Sequence, residues 1–118
     1  MASIYHLAMG AEWSEAIESG GPYSRSTLGK SLADEGFIHC SLASQVGTIA
    51  DVVYRGRSDV MLLVIDPSLV PVEIRLESTE GGDDLFPHIY GELPLAAVIR
   101  AESVTPKDDG TFDLRELL

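Results

Sequence analysis

A chain of 118 residues with an apolar fraction of 45% is long enough for a single domain, residues 1–118, with one modest core. Nineteen acidic residues against eight basic ones leave a formal net charge of −11. That balance opposes binding to nucleic acid, which needs Lys and Arg to neutralise phosphates. The lone Cys40 excludes an internal disulfide.

Ser3–Ala8 alternates and predicts a first strand, with His6 on the face opposite Tyr5 and Leu7. From Ala11 to Ser19, Trp13, Ala16 and Ile17 fall at helical spacing, and Gly20-Gly21-Pro22 supplies the stop. Ser26 or Thr27 is the expected cap of a second helix running to about Glu35, ended by Gly36. Gly36–Ser41 predicts a short strand with Phe37, His39 and Ser41 on one face and Ile38 and Cys40 on the other. Val46, Ile49, Ala50, Val53 and Tyr54 give the clearest helical period in the chain, with Ser44 as the expected cap and Gly56 as the end. Val60–Ile65 is the longest apolar run; it is far too short to cross a bilayer and predicts a buried strand.

Val72–Glu77 alternates apolar and charged residues and predicts a half-buried strand whose charged face carries Glu73, Arg75 and Glu77. Glu80–Asp84 reads as an acidic loop able to act as a lid. A strand over Ala96–Val104, a turn at Lys107–Gly110 and a last strand over Thr111–Arg115 complete the chain. Helices early and strands late predict an α+β fold.

Phe86–Gly91 reads Phe-Pro-His-Ile-Tyr-Gly. In an extended chain His88 and Tyr90 point to the same face. Pro87 lacks a backbone donor, so this stretch is expected at a strand entrance or a sheet edge, not in a central strand. His6, His39 and His88 all fall on predicted strands, and an imidazole near small or turn residues is a candidate site group. Common nucleotide loops of the Gly-x-Gly-x-x-Gly and Gly-x-x-x-x-Gly-Lys types are absent from the sequence, as are Cys-x-x-Cys and His-Glu-x-x-His. Cys40 is expected to be a small buried thiol.

At Tyr5-His6-Leu7, Glu35–Ser41, Gln45 with Tyr54, and Phe86–Leu93 the chain resembles a small bacterial family, the domain of unknown function 952. The resemblance implies a fold similar to the ADP-ribosyltransferases: a split, mainly antiparallel sheet with two or three helices in the N-terminal half, binding NAD in a cleft. It implies a cofactor-binding set of His6, Phe37, His39, Ser41 and Tyr54, to which Arg75 is added as the one arginine placed to grip a pyrophosphate, and a catalytic set of His6, His88, Tyr90 and Glu77. The transferases carry a glutamate that steadies an oxocarbenium-like transition state. Here the corresponding region offers His88 and Tyr90, with Glu77 on the strand before and Glu92 after Gly91.

The expected ligand is therefore NAD or an ADP-ribosyl, nucleotide-like small molecule, with NAD processing or ADP-ribosyl transfer as the associated activity. No metal, nucleic acid or membrane partner is expected, and the expected state is a cytoplasmic monomer or weak homodimer. Two other classes compete with this reading. One is a metal site built from the three histidines. The other is a non-catalytic acidic interaction module whose groove these residues shape.

Overall fold

The computed structural model describes residues 2–78 and 82–118. The expected Glu80–Asp84 lid therefore falls partly outside the described residues.

The order is β1 (Ile4–Met9), α1 (Gly10–Ser19), α2 (Leu32–Glu35), β2 (Ile38–His39), α3 (Val46–Val53), β3 (Val60–Ile65), β4 (Ile74–Ser78), β5 (Leu85–Ile89) and β6 (Val98–Val104). It is an α+β chain with two three-stranded antiparallel sheets, in the orders β1-β3-β6 and β2-β5-β4.

Strands β1 and β3 of the sheet β1-β3-β6 are buried on both faces, which explains why the central strand β3 is apolar almost throughout instead of alternating. One face, with Ile4, Ala8, Leu63 and Ile65, packs on Trp13 and Ala16 of α1 and on Ile38, Cys40 and Ile89 of the second sheet. The other face, with Tyr5, Leu7, Leu62 and Val64, packs on Val46 and Ala50 of α3 and on Tyr54, Phe112 and Leu114. The alternation of Ile4–Met9 thus separates two apolar layers. His6, at 2% exposure, lies on the face of Ile4 and Ala8.

The second sheet uses one face as core, through Ile38, Ile74 and Ile89. By the pleat, its other face carries His39, His88, Tyr90, Arg75 and Glu77. A single bridge joins the sheets: Tyr5 and Ser41 exchange backbone hydrogen bonds of 2.8 and 2.7 Å.

Several expectations need correction. The second helix is one turn, not a run from Ser26. Ser31 caps it, its hydroxyl accepting the Asp34 N–H while the Asp34 carboxylate accepts the Ser31 N–H, and Gly36 closes it in the left-handed region at φ 86°. Ser26 is instead buried, its hydroxyl accepting the His39 N–H at 3.1 Å. The cap position of α3 is Gln45, not Ser44. Its side-chain oxygen accepts the Leu42 N–H and its amide donates to the Leu85 carbonyl, tying β5 to α3.

Pro87 sits in the central strand of its sheet, against the edge position expected for it. The Pro87 carbonyl accepts the Cys40 N–H at 2.9 Å, but Pro87 has no N–H to return to Cys40, and the β2 ladder stops one residue earlier, at His39. Thr111–Arg115 forms no strand; the chain there ends in a 3-10 turn at Arg115–Leu117.

Candidate functional site

His6 has no free ring nitrogen. Nδ1 lies 2.7 Å from the His39 carbonyl oxygen and Nε2 lies 2.8 Å from the Tyr23 hydroxyl. A carbonyl can only accept, so Nδ1 carries the proton and Nε2 accepts from the Tyr23 O–H. Burial holds the ring neutral, pulling its pKa down to about 4 although the bond to the His39 carbonyl opposes the shift. Burial likewise pushes the Tyr23 hydroxyl well above its ordinary range. His6 thus ties β1 to β2 through one nitrogen and to the loop after α1 through the other.

His39 and His6 both line a cleft of about 320 Å³ between β1, β2 and α3, His6 with its ring nitrogens already bonded. Phe37, Ser41 and Tyr54 share its walls, and Lys30 and Glu35 bring one charge of each sign. Burial first and neighbouring His88 second lower the His39 pKa to about 4. At neutral pH the cleft therefore presents an uncharged imidazole. Tyr54 enters the cleft wall with its hydroxyl committed: it accepts the Leu28 N–H and donates to the Leu7 carbonyl, both at 3.2 Å.

A second group stands behind Phe37. The register of β4 against β5 sets Arg75 opposite His88 and Glu77 opposite Phe86, so Glu77 reaches His88 on the diagonal. His88 Nδ1 lies 2.9 Å from Glu77 Oε1, and the Tyr90 hydroxyl donates to that same oxygen at 2.5 Å. A carboxylate accepts only, so the proton is on Nδ1. Hydrogen bonds from Tyr90 and then His88 hold the Glu77 carboxyl below its usual range, and the same contact raises the Tyr90 phenol. The Phe37 ring stacks on His88 with centroids 4.0 Å and planes 12° apart, and His39 lies 5.2 Å from His88.

Arg75 is occupied by neighbours: it pairs with Glu73 at 2.8 Å and lies over the Tyr90 ring at 4.3 Å. The expected site residues therefore fall into two adjoining groups, the cleft set of His6, Phe37, His39, Ser41 and Tyr54, and the Glu77–His88–Tyr90 set. His6 backs both through its bond to the His39 carbonyl. The three imidazoles do not converge as a metal site. Both His6 nitrogens are engaged, and among the described residues no three or more His, Cys, Asp or Glu could hold a metal. Cys40 is fully buried, which raises its pKa far above the thiolate range.

Sequence reasoning did not single out Tyr23 or Lys30, and it gave Ser26 only the role of a helix cap. They lie in the 20–31 loop, where no periodicity marks a facing direction.

The sequence matches the family described as "Protein of unknown function (DUF952)" over residues 8–101. The chain belongs to this family. The DUF952 domain here is similar to the crystal structure of protein CC0527 from Caulobacter crescentus, at 27% identity and TM-score 0.84, covering 98% of this chain and 97% of that one. It is also similar to the solution NMR structure of CC0527, at 30% identity and TM-score 0.80, covering 100% and 97%. No curated protein matches the sequence.

Proposed function

We propose that this DUF952 protein binds NAD or a related ADP-ribosyl, nucleotide-like small molecule in the cleft between β1, β2 and α3. The supporting observation is the character of that cleft. Aromatic walls from Phe37 and Tyr54 alternate with the Ser41 hydroxyl, the neutral His39 imidazole, the Lys30 ammonium and the Glu35 carboxylate. Such walls suit a ligand made of flat rings, hydroxyl-rich sugars and a few charges. A volume of about 320 Å³ suits a nucleoside-sized part, with the remainder extending over the surface. The two antiparallel sheets meeting at Tyr5 and Ser41 are consistent with a split-sheet fold of the ADP-ribosyltransferase kind.

In this reading the Glu77–His88–Tyr90 group is the reactive side of the site. Glu77 is the ionised carboxylate beside it, held so by two donors. A fixed anion of this kind steadies positive charge as a glycosidic C–N bond opens and nicotinamide leaves.

Titration of the labelled protein with NAD and with ADP-ribose, followed by amide NMR shifts, tests the binding. Shifts are expected at Phe37, His39, Ser41 and Lys30. No change at millimolar ligand would remove this function. Chromatographic detection of released nicotinamide tests the chemistry separately.

A further inference from the structure

The cleft grades from buried to exposed. Tyr5, Leu7 and Ser41 lie deep in it, Ser41 at 3% exposure, whereas Lys30 stands exposed at its rim. The rim is the turn at residues 26–30. The Ser26 N–H donates to the Lys30 carbonyl at 2.8 Å, and the Lys30 N–H to the Thr27 carbonyl at 2.9 Å. Two groups of the cleft wall brace this turn: Glu35 Oε1 accepts the Thr27 N–H and the Tyr54 hydroxyl accepts the Leu28 N–H, both at 3.2 Å.

That bracing decides what the wall has left for a ligand. Tyr54 also donates to the Leu7 carbonyl, so its hydroxyl is spent in both directions. Glu35, the one acid lining the cleft, has an oxygen engaged with the turn. Nearby Asp34 is engaged too, accepting the Ser31 N–H in the capping box. Lys30 is the one Lys or Arg lining the cleft and has no ion pair among the described residues. Arg25, Arg57, Arg75, Arg100 and Arg115 each have an acidic partner. Deeper in, the Ser41 hydroxyl and the His39 ring have no side-chain hydrogen bond among the described residues. The groups left over are thus neutral at the floor and cationic at the rim. In a chain of net charge −11, an anion is repelled wherever no local cation offsets the field.

We infer that Lys30 sets both the charge of the ligand and its direction of entry. A neutral part made of rings and hydroxyls lies toward Ser41 and His39, and an anionic phosphate stays at the rim on the Lys30 ammonium. This rests on the nucleotide reading and narrows it to phosphorylated nucleosides, since a bare nucleoside leaves the rim cation unmatched. Lys30 is here a specificity-determining residue.

Calorimetric titration of the full chain with adenosine, AMP and ADP-ribose tests this, on wild type, Lys30→Ala and Lys30→Arg. Wild type is expected to bind AMP and ADP-ribose about tenfold or more tighter than adenosine, as a charge-assisted contact provides. Lys30→Ala brings both down to the adenosine value, while Lys30→Arg keeps the preference.

Equal affinities in wild type overturn the inference and leave the nucleotide reading standing. A loss in Lys30→Ala spread evenly over all three ligands does the same. Binding of none removes the nucleotide reading, and pyrophosphate then decides on Lys30 alone, followed by amide NMR shifts. Shifts at Thr27 and Lys30 that vanish in Lys30→Ala support the anionic rim, and their absence in wild type overturns it. Because the Lys30 side chain is exposed, its replacement leaves the core intact, which thermal melts of each variant check.

Discussion

The Tyr23 hydroxyl donates to His6 Nε2 at 2.8 Å, and the two rings meet edge to face with centroids 5.3 Å apart. This pair turns a histidine of the signature stretch into a buried strut. Tyr23→Phe removes the donor and leaves Nε2 unpartnered in the core, which costs about 1–3 kcal/mol. Urea denaturation of both proteins measures it, and unchanged stability would show that the strut carries nothing.

The same burial gives stability a defined pH dependence. The folded His6 has its pKa lowered to about 4 from 6.5, and His39 behaves alike. A depressed value means that the unfolded chain takes up protons first as pH falls. Stability is therefore full above about pH 6.5, declines down to about pH 4 and levels off below for these groups. A shift of this size corresponds to about 3 kcal/mol for His6, and to less for His39, whose ring reaches the cleft. Urea midpoints measured across that window should fall steadily; a flat profile counts against neutral burial of these rings.

Gly91 follows the His88–Tyr90 pair for a reason of space. A Cβ there would lie 2.8 Å from Val72 Cγ1 and 3.0 Å from Cγ2. Gly91→Ala forces the chain away from Val72 and is expected to cost about 1–3 kcal/mol through overpacking. Thermal melts check the cost, and NMR shifts at Tyr90 and Glu77 should move with it.

Tyr90→Phe tests the charge state of the reactive side. The Tyr90 hydrogen bond is the first cause holding the Glu77 carboxyl below its usual range. Its removal should move the Glu77 titration toward the ordinary carboxylate value, while the His88 contact keeps part of the depression. Side-chain carboxyl ¹³C shifts against pH read this directly. An unmoved titration would mean that Tyr90 does not hold the carboxylate.

How much of this was legible beforehand differs from residue to residue. That His88 and Tyr90 share a face, that Phe37 and His39 share one, and that Val46–Val53 is a helix all follow from periods of 2 and 3.6 residues along one segment. Pro87 misled because edge preference assumes a long neighbouring strand on each side, and β2 has only two residues. The supposed strand at Thr111–Arg115 misled because its apolar residues Phe112 and Leu114 alternate as in a strand yet pack beneath α3 with no partner strand to pair with.

The sequence by itself determined which side chains each strand offers and the acidic character of the whole molecule. Tertiary structure alone decided what those side chains meet. Glu77 reaches His88 and Tyr90 only through the register of β4 on β5, a choice between two segments that no local pattern contains. His6 is sealed by Tyr23 from a loop 17 residues away, and Phe37 comes to stack on His88 because β2 and β5, from distant parts of the chain, pair in one sheet. Side-chain direction is a local property of the backbone, whereas partnership is settled by packing.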